Sequence, residues 1–172
     1  FSKFIFGEDN DTLPSVLIKE LAERNQTIVF AESCTGGLLS SSLTSISGSS
    51  QVFLGSIVSY SNKLKNSLLN ISEEKLTKYG AVSEEVCKAM AINVKEKLGA
   101  DWAIAVSGIA GPNGGSQDKP VGLVYISISG PNNHITNIKK LFNSTRNRKE
   151  IQTLSVNVCL NSLRLILLSN SK

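Results

Sequence analysis

The stretch TIVFAESCTGG, residues 27–37, joins an apolar run to a glutamate, three side chains with nucleophilic atoms and two glycines. Its first four residues are β-branched or aromatic, which predicts a buried strand. Residues 38–43 mix apolar and polar side chains at helical spacing. Ser33, Cys34 and Thr35 therefore lie where a strand passes into a helix N-terminus, and free amides and the helix dipole favour negative charge there.

Strand and helix patterns alternate along the rest of the chain. Helices are predicted from Thr12 as a cap, and over residues 36–45, 62–69, 72–78, 83–98 and 146–168; strands are predicted over 27–31, 52–60, 102–106, and in a hairpin of 121–129 with 136–142. The mostly apolar strand 52–60 is predicted to be buried on both faces. Alternation followed by a hairpin predicts an α/β fold, a three-layer α/β/α sandwich with a mixed sheet, in one domain.

Composition narrows the function classes. The chain has 172 residues, of which 41% are hydrophobic and 19% charged, as in an ordinary soluble domain. No apolar run approaches the ~20 residues of a membrane span, so we expect no membrane partner. The three cysteines have neither paired nor metal-type spacing, which predicts a cytoplasmic protein.

The net charge of +4 raises the question of whether the chain binds nucleic acid. However, the 18 basic residues are scattered among 14 carboxylates, and aromatic residues do not interleave with them. Binding of an anionic small molecule explains the modest positive net charge equally well. Nucleic-acid binding is therefore the less favoured alternative.

The shortage of histidine bears on the choice of the general base. The one histidine, His134, follows a turn-like run and is interpreted as a surface residue, so a lysine becomes the candidate base for the 33–35 loop. Lys63 and Lys65 follow the strand 52–60, and because they are two residues apart on a predicted helix, only one should face a site. The alternative is that both are solvated surface lysines.

Structural alternatives apply to the other candidates. Ser33 or Thr35 can be no more than a helix cap, with the glycines serving tight packing. Cys34 is an alternative nucleophile, although we favour a small core residue. A Ser-x-x-Lys pattern begins at Ser72, but the two glutamates that follow it indicate a helix cap rather than a catalytic serine.

A glycine-rich loop, residues 107–120, follows the predicted strand 102–106. It matches no nucleotide-binding fingerprint, but its amides can form a nest for a phosphate or carboxamide. The alternative is a flexible connector. Because the loops 32–37, 60–65 and 107–120 all follow buried strands, we expect them to converge. Asp118 has no second ligand at a useful spacing, so we predict no metal site.

Four motifs in order resemble the CinA C-terminal domain family. They are AESCTGG (31–37), VSYSN (58–62) with Lys65, GAVSE (80–84), and SGIAGPNGG (107–115) followed by KPVG (119–122). The resemblance covers about residues 12–168, and the family includes the bacterial nicotinamide mononucleotide amidases of the PncC type. Phe4 to Glu8 resembles the junction after the N-terminal domain of two-domain CinA proteins. Residues 1–11 are therefore expected to be a linker from an absent N-terminal domain, and 12–170 the CinA C-terminal amidase domain.

The resemblance implies a hydrolase that deamidates nicotinamide mononucleotide to nicotinate mononucleotide and ammonia, with no metal or cofactor, in a homo-oligomer. Carried over by position, Ser33 is the nucleophile, Lys65 the general base, and Tyr60 assists proton transfer. The implied substrate-binding residues are Thr35, Gly36, Gly37, Ser107, Gly108, Gly111 and Arg146.

Within that set, amides near Thr35 to Gly37 are expected to stabilise the oxyanion. Arg146 is expected near the substrate phosphate, while Ser144 replaces a family glycine and Gln152 replaces a common arginine. The alternative function is a non-catalytic module that binds a pyridine nucleotide for a larger CinA protein. The intact Ser33, Tyr60 and Lys65 argue against that alternative.

Overall fold

The computed structural model describes residue 7 and residues 10–169, so nearly all of the predicted linker 1–11 lies outside the described part of the chain. A five-stranded sheet forms the middle layer. Its strands, in the order β2-β1-β3-β4-β5, are β1 (Ile28–Glu32), β2 (Phe53–Val58), β3 (Trp102–Gly108), β4 (Leu123–Ser129) and β5 (Ile135–Leu141). The helices are α1 (Leu13–Glu23), α2 (Leu38–Thr44), α3 (Asn62–Leu69), α4 (Glu73–Tyr79), α5 (Glu84–Leu98) and α6 (Arg148–Ser169).

The pairing of the strands confirms the predicted mixed sheet. β1 pairs in parallel with both β2 and β3, while β4 and β5 add antiparallel strands beyond β3. The carboxyl ends of the three parallel strands therefore lie at one edge of the sheet, where ligands bind in open α/β sheets. The predicted burial of β2 on both faces is wrong, because β2 is an edge strand with Leu54 52% exposed.

Side-chain alternation along β1 divides the core into two clusters. Ile28 and Phe30 pack in the cluster that includes residues of α1, α2 and α6. Val29 and Ala31 face the opposite cluster, which includes residues of α3, α4 and α5. Because successive strand residues point to opposite faces, this alternation sets the directions of the polar residues that follow.

Local capping starts several of the helices where the sequence predicts them. The hydroxyls of Thr12, Ser61, Ser72 and Ser83 each accept a hydrogen bond from a backbone N–H in the first turn of the helix that follows. Ser72 accepts from the amide of Lys75, as expected for a cap rather than a nucleophile. Ser61 starts α3, which places Lys65 within the first turn and a half of that helix.

Helix α6 is the one described helix that is long and apolar enough to cross a membrane. Core helices of soluble proteins share that composition. Here Ile151, Leu160 and Leu163 of α6 are buried in the core cluster, packed with residues of the sheet. The helix therefore forms part of one outer layer of the sandwich.

Candidate active site

A buried serine–lysine pair lies at the carboxyl edge of the parallel strands. The Nζ atom of Lys65 lies 3.1 Å from the Oγ atom of Ser33. Lys65 is only 1% exposed and Ser33 only 9%, whereas Lys63, two residues away, is exposed. Of the two lysines, therefore, only Lys65 lies next to Ser33, and Lys63 lies at the surface.

The surroundings of Lys65 favour its neutral form. Burial lowers the pKa of its ammonium, because desolvation penalises the charged state. The Nζ atom also donates a hydrogen bond of 2.6 Å to the carbonyl oxygen of Ser59. In residues 10–169, the one recorded ion pair joins Arg24 to Glu20, so no carboxylate offsets the desolvation of Lys65. A lowered pKa moves this lysine toward the neutral state in which it can accept a proton.

Cys34 occupies the core rather than the site. Its side chain is 4% exposed and belongs to the core cluster that packs against α6. Burial raises the pKa of the thiol to about 12, so the thiol stays protonated near neutral pH. These contacts agree with the interpretation of Cys34 as a packing residue, and they leave Ser33 as the hydroxyl paired with a base.

Glu32 is a buried residue of the candidate site that the sequence reasoning missed. It is fully buried, and its Oε2 atom accepts hydrogen bonds from the Thr35 hydroxyl at 2.7 Å, the Gly37 amide at 3.0 Å and the Leu39 amide at 3.1 Å. Its Oε1 atom accepts from the amide and the hydroxyl of Ser40. The carboxylate thus ties the loop after Ser33 to the start of α2. An acidic residue that ends an apolar strand beside two glycines was the available signal.

These bonds change the expected oxyanion site. The Gly37 amide donates to Glu32, and the Gly36 amide donates to the carbonyl oxygen of Ser33 at 3.2 Å. Those two amides are therefore occupied, contrary to the expectation that they face an oxyanion. In the described part of the chain, the amides of Cys34 and Thr35 donate to no backbone carbonyl oxygen, although the Cys34 amide contacts its own thiol. They lie directly after Ser33, where an oxyanion would form.

Tyr60 and Arg148 form a second group at the same edge. The Tyr60 hydroxyl accepts a hydrogen bond of 2.6 Å from Nη2 of Arg148, and Nη1 donates to the carbonyl oxygen of Gly111 at 2.9 Å. The first residue of α6 thereby links the loops 60–65 and 107–120. Together with the Ser33–Lys65 contact, this confirms the predicted convergence of the three loops.

The structure does not bring Arg146 into this group of contacts. Arg146 is exposed in the turn before α6, where its amide donates to the carbonyl oxygen of Asn143. Arg148 instead reaches the Tyr60 hydroxyl. Two basic residues so close in sequence differ in direction because α6 begins at Arg148, a boundary that the prediction placed at residue 146.

An open cleft of about 820 Å³, a volume within the usual range for small-molecule sites, lies between the loop that follows Ser33, Tyr60 and the start of α6. Ser33 and Lys65 themselves are not among its lining residues. The side-chain amide of Gln152 donates to the carbonyl oxygen of Cys34 at 2.8 Å and so ties α6 to the nucleophile loop. The cleft is lined by Thr35, Gly36, Gly37, Leu38, Ser41, Tyr60, Arg148, Lys149, Gln152 and Thr153.

Two further predicted residues make internal contacts. Ser107 is fully buried, and its hydroxyl donates to the carbonyl oxygen of Ala81 at 2.7 Å. A Cβ atom on Gly108 would lie 2.7 Å from the carbonyl oxygen of Leu123, so close backbone packing explains that glycine. Within the described residues, no three His, Cys, Asp or Glu side chains group as metal ligands.

Comparison with known proteins identifies the family of this chain. The model of the CinA C-terminal domain matches residues 10–167. A CinA-like protein of Prochlorococcus marinus (strain AS9601) is 92% identical over 172 residues, which are 100% of this chain and 41% of that protein. A CinA-like protein of Gloeothece citriformis (strain PCC 7424) is 50% identical over 159 residues, 92% of this chain and 38% of that protein. The chain thus spans about two fifths of these curated relatives.

Solved structures share the fold. The competence/damage inducible protein CihA from Agrobacterium tumefaciens is 36% identical, with a TM-score of 0.88 over 95% of this chain and 98% of that chain. A competence-damaged protein (CinA) superfamily protein from Escherichia coli is 28% identical, with a TM-score of 0.83 over 96% of both chains. The three-layer arrangement is therefore common to these proteins.

Proposed function

The chain belongs to the CinA C-terminal domain family, and we propose that it is an amidohydrolase that deamidates nicotinamide mononucleotide by a Ser–Lys mechanism. The observation that carries the proposal is the contact of 3.1 Å between Ser33 Oγ and the buried Nζ of Lys65. The products are nicotinate mononucleotide and ammonia, and the reaction needs no cofactor.

Acylation begins with Lys65 as the general base. The neutral amine takes the hydroxyl proton of Ser33 while Oγ attacks the carboxamide carbon. Backbone amides after Ser33, those of residues 34 and 35, donate to the oxyanion. The carbon–nitrogen bond then breaks, and the ammonium of Lys65 delivers its proton to the departing ammonia.

Deacylation repeats the proton path with water. Water attacks the acyl carbon, Lys65 takes one of its protons, and the bond to Ser33 Oγ breaks. The same proton returns to Ser33, so the enzyme is restored without any external acid or base. The lowered pKa of Lys65 supports both steps, because a base must be free of its proton at the working pH.

The cleft supports binding of a nucleotide. Arg148 at its wall offers a fixed guanidinium for the substrate phosphate, and Tyr60 lies between that guanidinium and the start of α3. Thr35, Gly36 and Gly37 line the cleft close to the nucleophile. We propose that Tyr60 positions the substrate and assists proton transfer.

The alternative is a domain that binds a pyridine nucleotide without hydrolysing it. The same cleft would serve both functions. However, burying a lysine without a carboxylate partner costs stability, and binding alone gives no return for that cost. We further propose that residues 12–170 act in the cytoplasm as part of a homo-oligomeric protein with an N-terminal CinA domain, without nucleic acid or membrane as a partner.

The decisive experiment measures ammonia released from nicotinamide mononucleotide by this chain, with DNA binding checked in parallel. Ser33→Ala is expected to abolish release while the nucleotide still binds, which calorimetry measures. Cys34→Ala keeps its backbone amide and is expected to turn over. Full activity of Ser33→Ala would refute the mechanism, and binding without turnover by the unmodified chain would favour the binding module.

A further inference from the structure

Three serines follow one another across the carboxyl edge of the parallel strands. Ser33 follows β1, Ser59 follows β2, and Ser107 lies near the end of β3. The strand pairing continues to this level, because the Ser59 amide donates to Glu32 and the Ser33 amide donates to Val106. By the two-residue alternation of strands, all three serines lie on the face of the sheet covered by α5.

Two of the three hydroxyls have partners. Ser33 Oγ contacts Lys65, and Ser107 Oγ donates to the carbonyl oxygen of Ala81. Ser59 is 0% exposed, and its Oγ atom has no hydrogen-bond partner among the described residues. Buried hydroxyls rarely lack a hydrogen-bond partner, because each missing partner lowers the stability of the fold. The absence of a partner for the Ser59 hydroxyl in the described part of the chain therefore needs an explanation.

Lys65 changes its hydrogen-bonding capacity during the proposed reaction. An ammonium has three N–H donors. The recorded bonds of Nζ go to the Ser59 carbonyl oxygen at 2.6 Å and to Ser33 Oγ at 3.1 Å, which accounts for two of them. When Lys65 takes the proton of Ser33, that N–H faces Ser33 Oγ and a second faces the Ser59 carbonyl oxygen. The third N–H, now part of a charged donor, is left in need of an acceptor. The residue whose carbonyl oxygen already binds Nζ carries the unused hydroxyl.

We propose that Ser59 is a positioning residue whose hydroxyl accepts a hydrogen bond from the Lys65 ammonium formed when Ser33 is deprotonated. The inference rests on the proposed amidase function. The proton of Ser33 moves to Nζ, the Oγ electron pair forms the bond to the carboxamide carbon, and rotation of the Ser59 side chain brings its hydroxyl to the new N–H. Because a charged N–H donates a stronger hydrogen bond than the N–H of a neutral amine, the bond stabilises the transition state more than the resting state.

The inference predicts a change in pH dependence. The titratable groups whose charge would act on the Lys65 amine are the thiols of Cys34, in the loop after β1, and Cys87, in α5. Burial raises the pKa of both thiols to about 12, so neither changes charge in the working range. Removal of the Ser59 hydroxyl should therefore lower the pKa of Lys65 and weaken it as a base.

Ser59→Ala tests this with ammonia release measured across pH. The maximal kcat/KM is expected to fall about 10–100-fold, as for loss of a hydrogen bond to a charged group, and the acidic limb should move to lower pH. Ser59→Thr keeps a hydroxyl and should restore both. Ser127→Ala removes another fully buried strand hydroxyl, one that donates to Asn137, and should change neither.

A direct titration separates this inference from the amidase proposal. The pKa of Lys65 is measured by NMR of lysines labelled at the side chain, in the unmodified chain and in Ser59→Ala, with thermal unfolding to check folding. A lower pKa in the variant supports the inference even if the chain releases no ammonia, an outcome that would refute only the proposed function. An unchanged pKa, or an acidic limb that stays in place, would overturn the inference.

Discussion

Gly37→Ala isolates the backbone strain in the loop that carries the nucleophile. Gly37 has φ +100° and ψ −4°, a conformation that L-residues rarely adopt. A Cβ atom added there meets nothing within 4 Å, so no steric contact contributes to the cost. Strain of this kind costs ~1–3 kcal/mol. For a chain of this size each kcal/mol lowers Tm by ~2–4 °C, which predicts a drop of ~2–12 °C.

The same substitution should slow the reaction. The Gly37 amide donates to Glu32, and relief of the strain turns that peptide away from the carboxylate. The loop then shifts Ser33 relative to Lys65, and a displacement of ~1 Å can cost ~100-fold in rate. Thermal unfolding by circular dichroism and ammonia release from nicotinamide mononucleotide measure the two effects separately.

Gly99→Ala is the matched control. Gly99 has φ +67° at the end of α5, and a Cβ atom there also meets nothing within 4 Å. The Gly99→Ala variant should lose ~1–2 kcal/mol of stability. Its rate of ammonia release should stay unchanged, because residue 99 lies outside the candidate site. A Gly37→Ala variant with the Tm of the unmodified chain would refute the strain. A variant with lowered Tm but full rate would show that the loop geometry does not govern Ser33.

The remaining predictions concern the two cations of the site. Lys65→Met should abolish ammonia release, and its stability relative to the unmodified chain should decline as pH rises. The sign follows from the lowered pKa of Lys65: the unmodified chain carries the cost of a buried ammonium below the folded-state pKa and loses that cost as pH approaches the ordinary value near 10.5. Denaturant unfolding between pH 7 and 10 measures the difference, with a slope of about 1.4 kcal/mol per pH unit in the titrating range; a flat difference would contradict the lowered pKa. Arg148→Ala should raise KM for nicotinamide mononucleotide ~10–100-fold, as for a lost charged hydrogen bond, while Arg146→Ala should leave it unchanged, and equal effects of the two variants would remove the phosphate role of Arg148.

Prediction from sequence succeeded where the signal is local. Thr12 and Ser72 are identifiable as capping residues from the sequence, because a cap bonds to an amide three residues away. The edge position of β2 was not predictable in this way. Apolar residues such as Leu54 indicate burial on average, but the sheet order decides which strand has a single neighbour.

The residues of the candidate site show the same difference between local and long-range signals. Ser33 and Lys65 were selected from motifs, since their residue types and spacing are visible in the chain. Glu32 was passed over because its importance depends on five donors from residues 35–40 that converge on it only after folding. Arg148 was missed for a related reason: the start of α6 determines its direction, and helix boundaries are the least certain part of any prediction from sequence.

By itself, the sequence determined the class of the fold, the order of its elements and the candidate nucleophile and base. The fold class and the order of the elements depend on hydrophobic period, capping and residue type, all of which act over a few residues. The choice of Ser33 and Lys65 as candidates is what the resemblance to the CinA C-terminal domain family implies. Only the tertiary structure decided that Lys65 reaches Ser33, that Cys34 turns into the core, and that Ser59 keeps an unpartnered hydroxyl beside the pair. These outcomes require side chains from different strands and helices to meet. Burial at that meeting point, rather than residue type, lowers the pKa of Lys65 and makes it the candidate base.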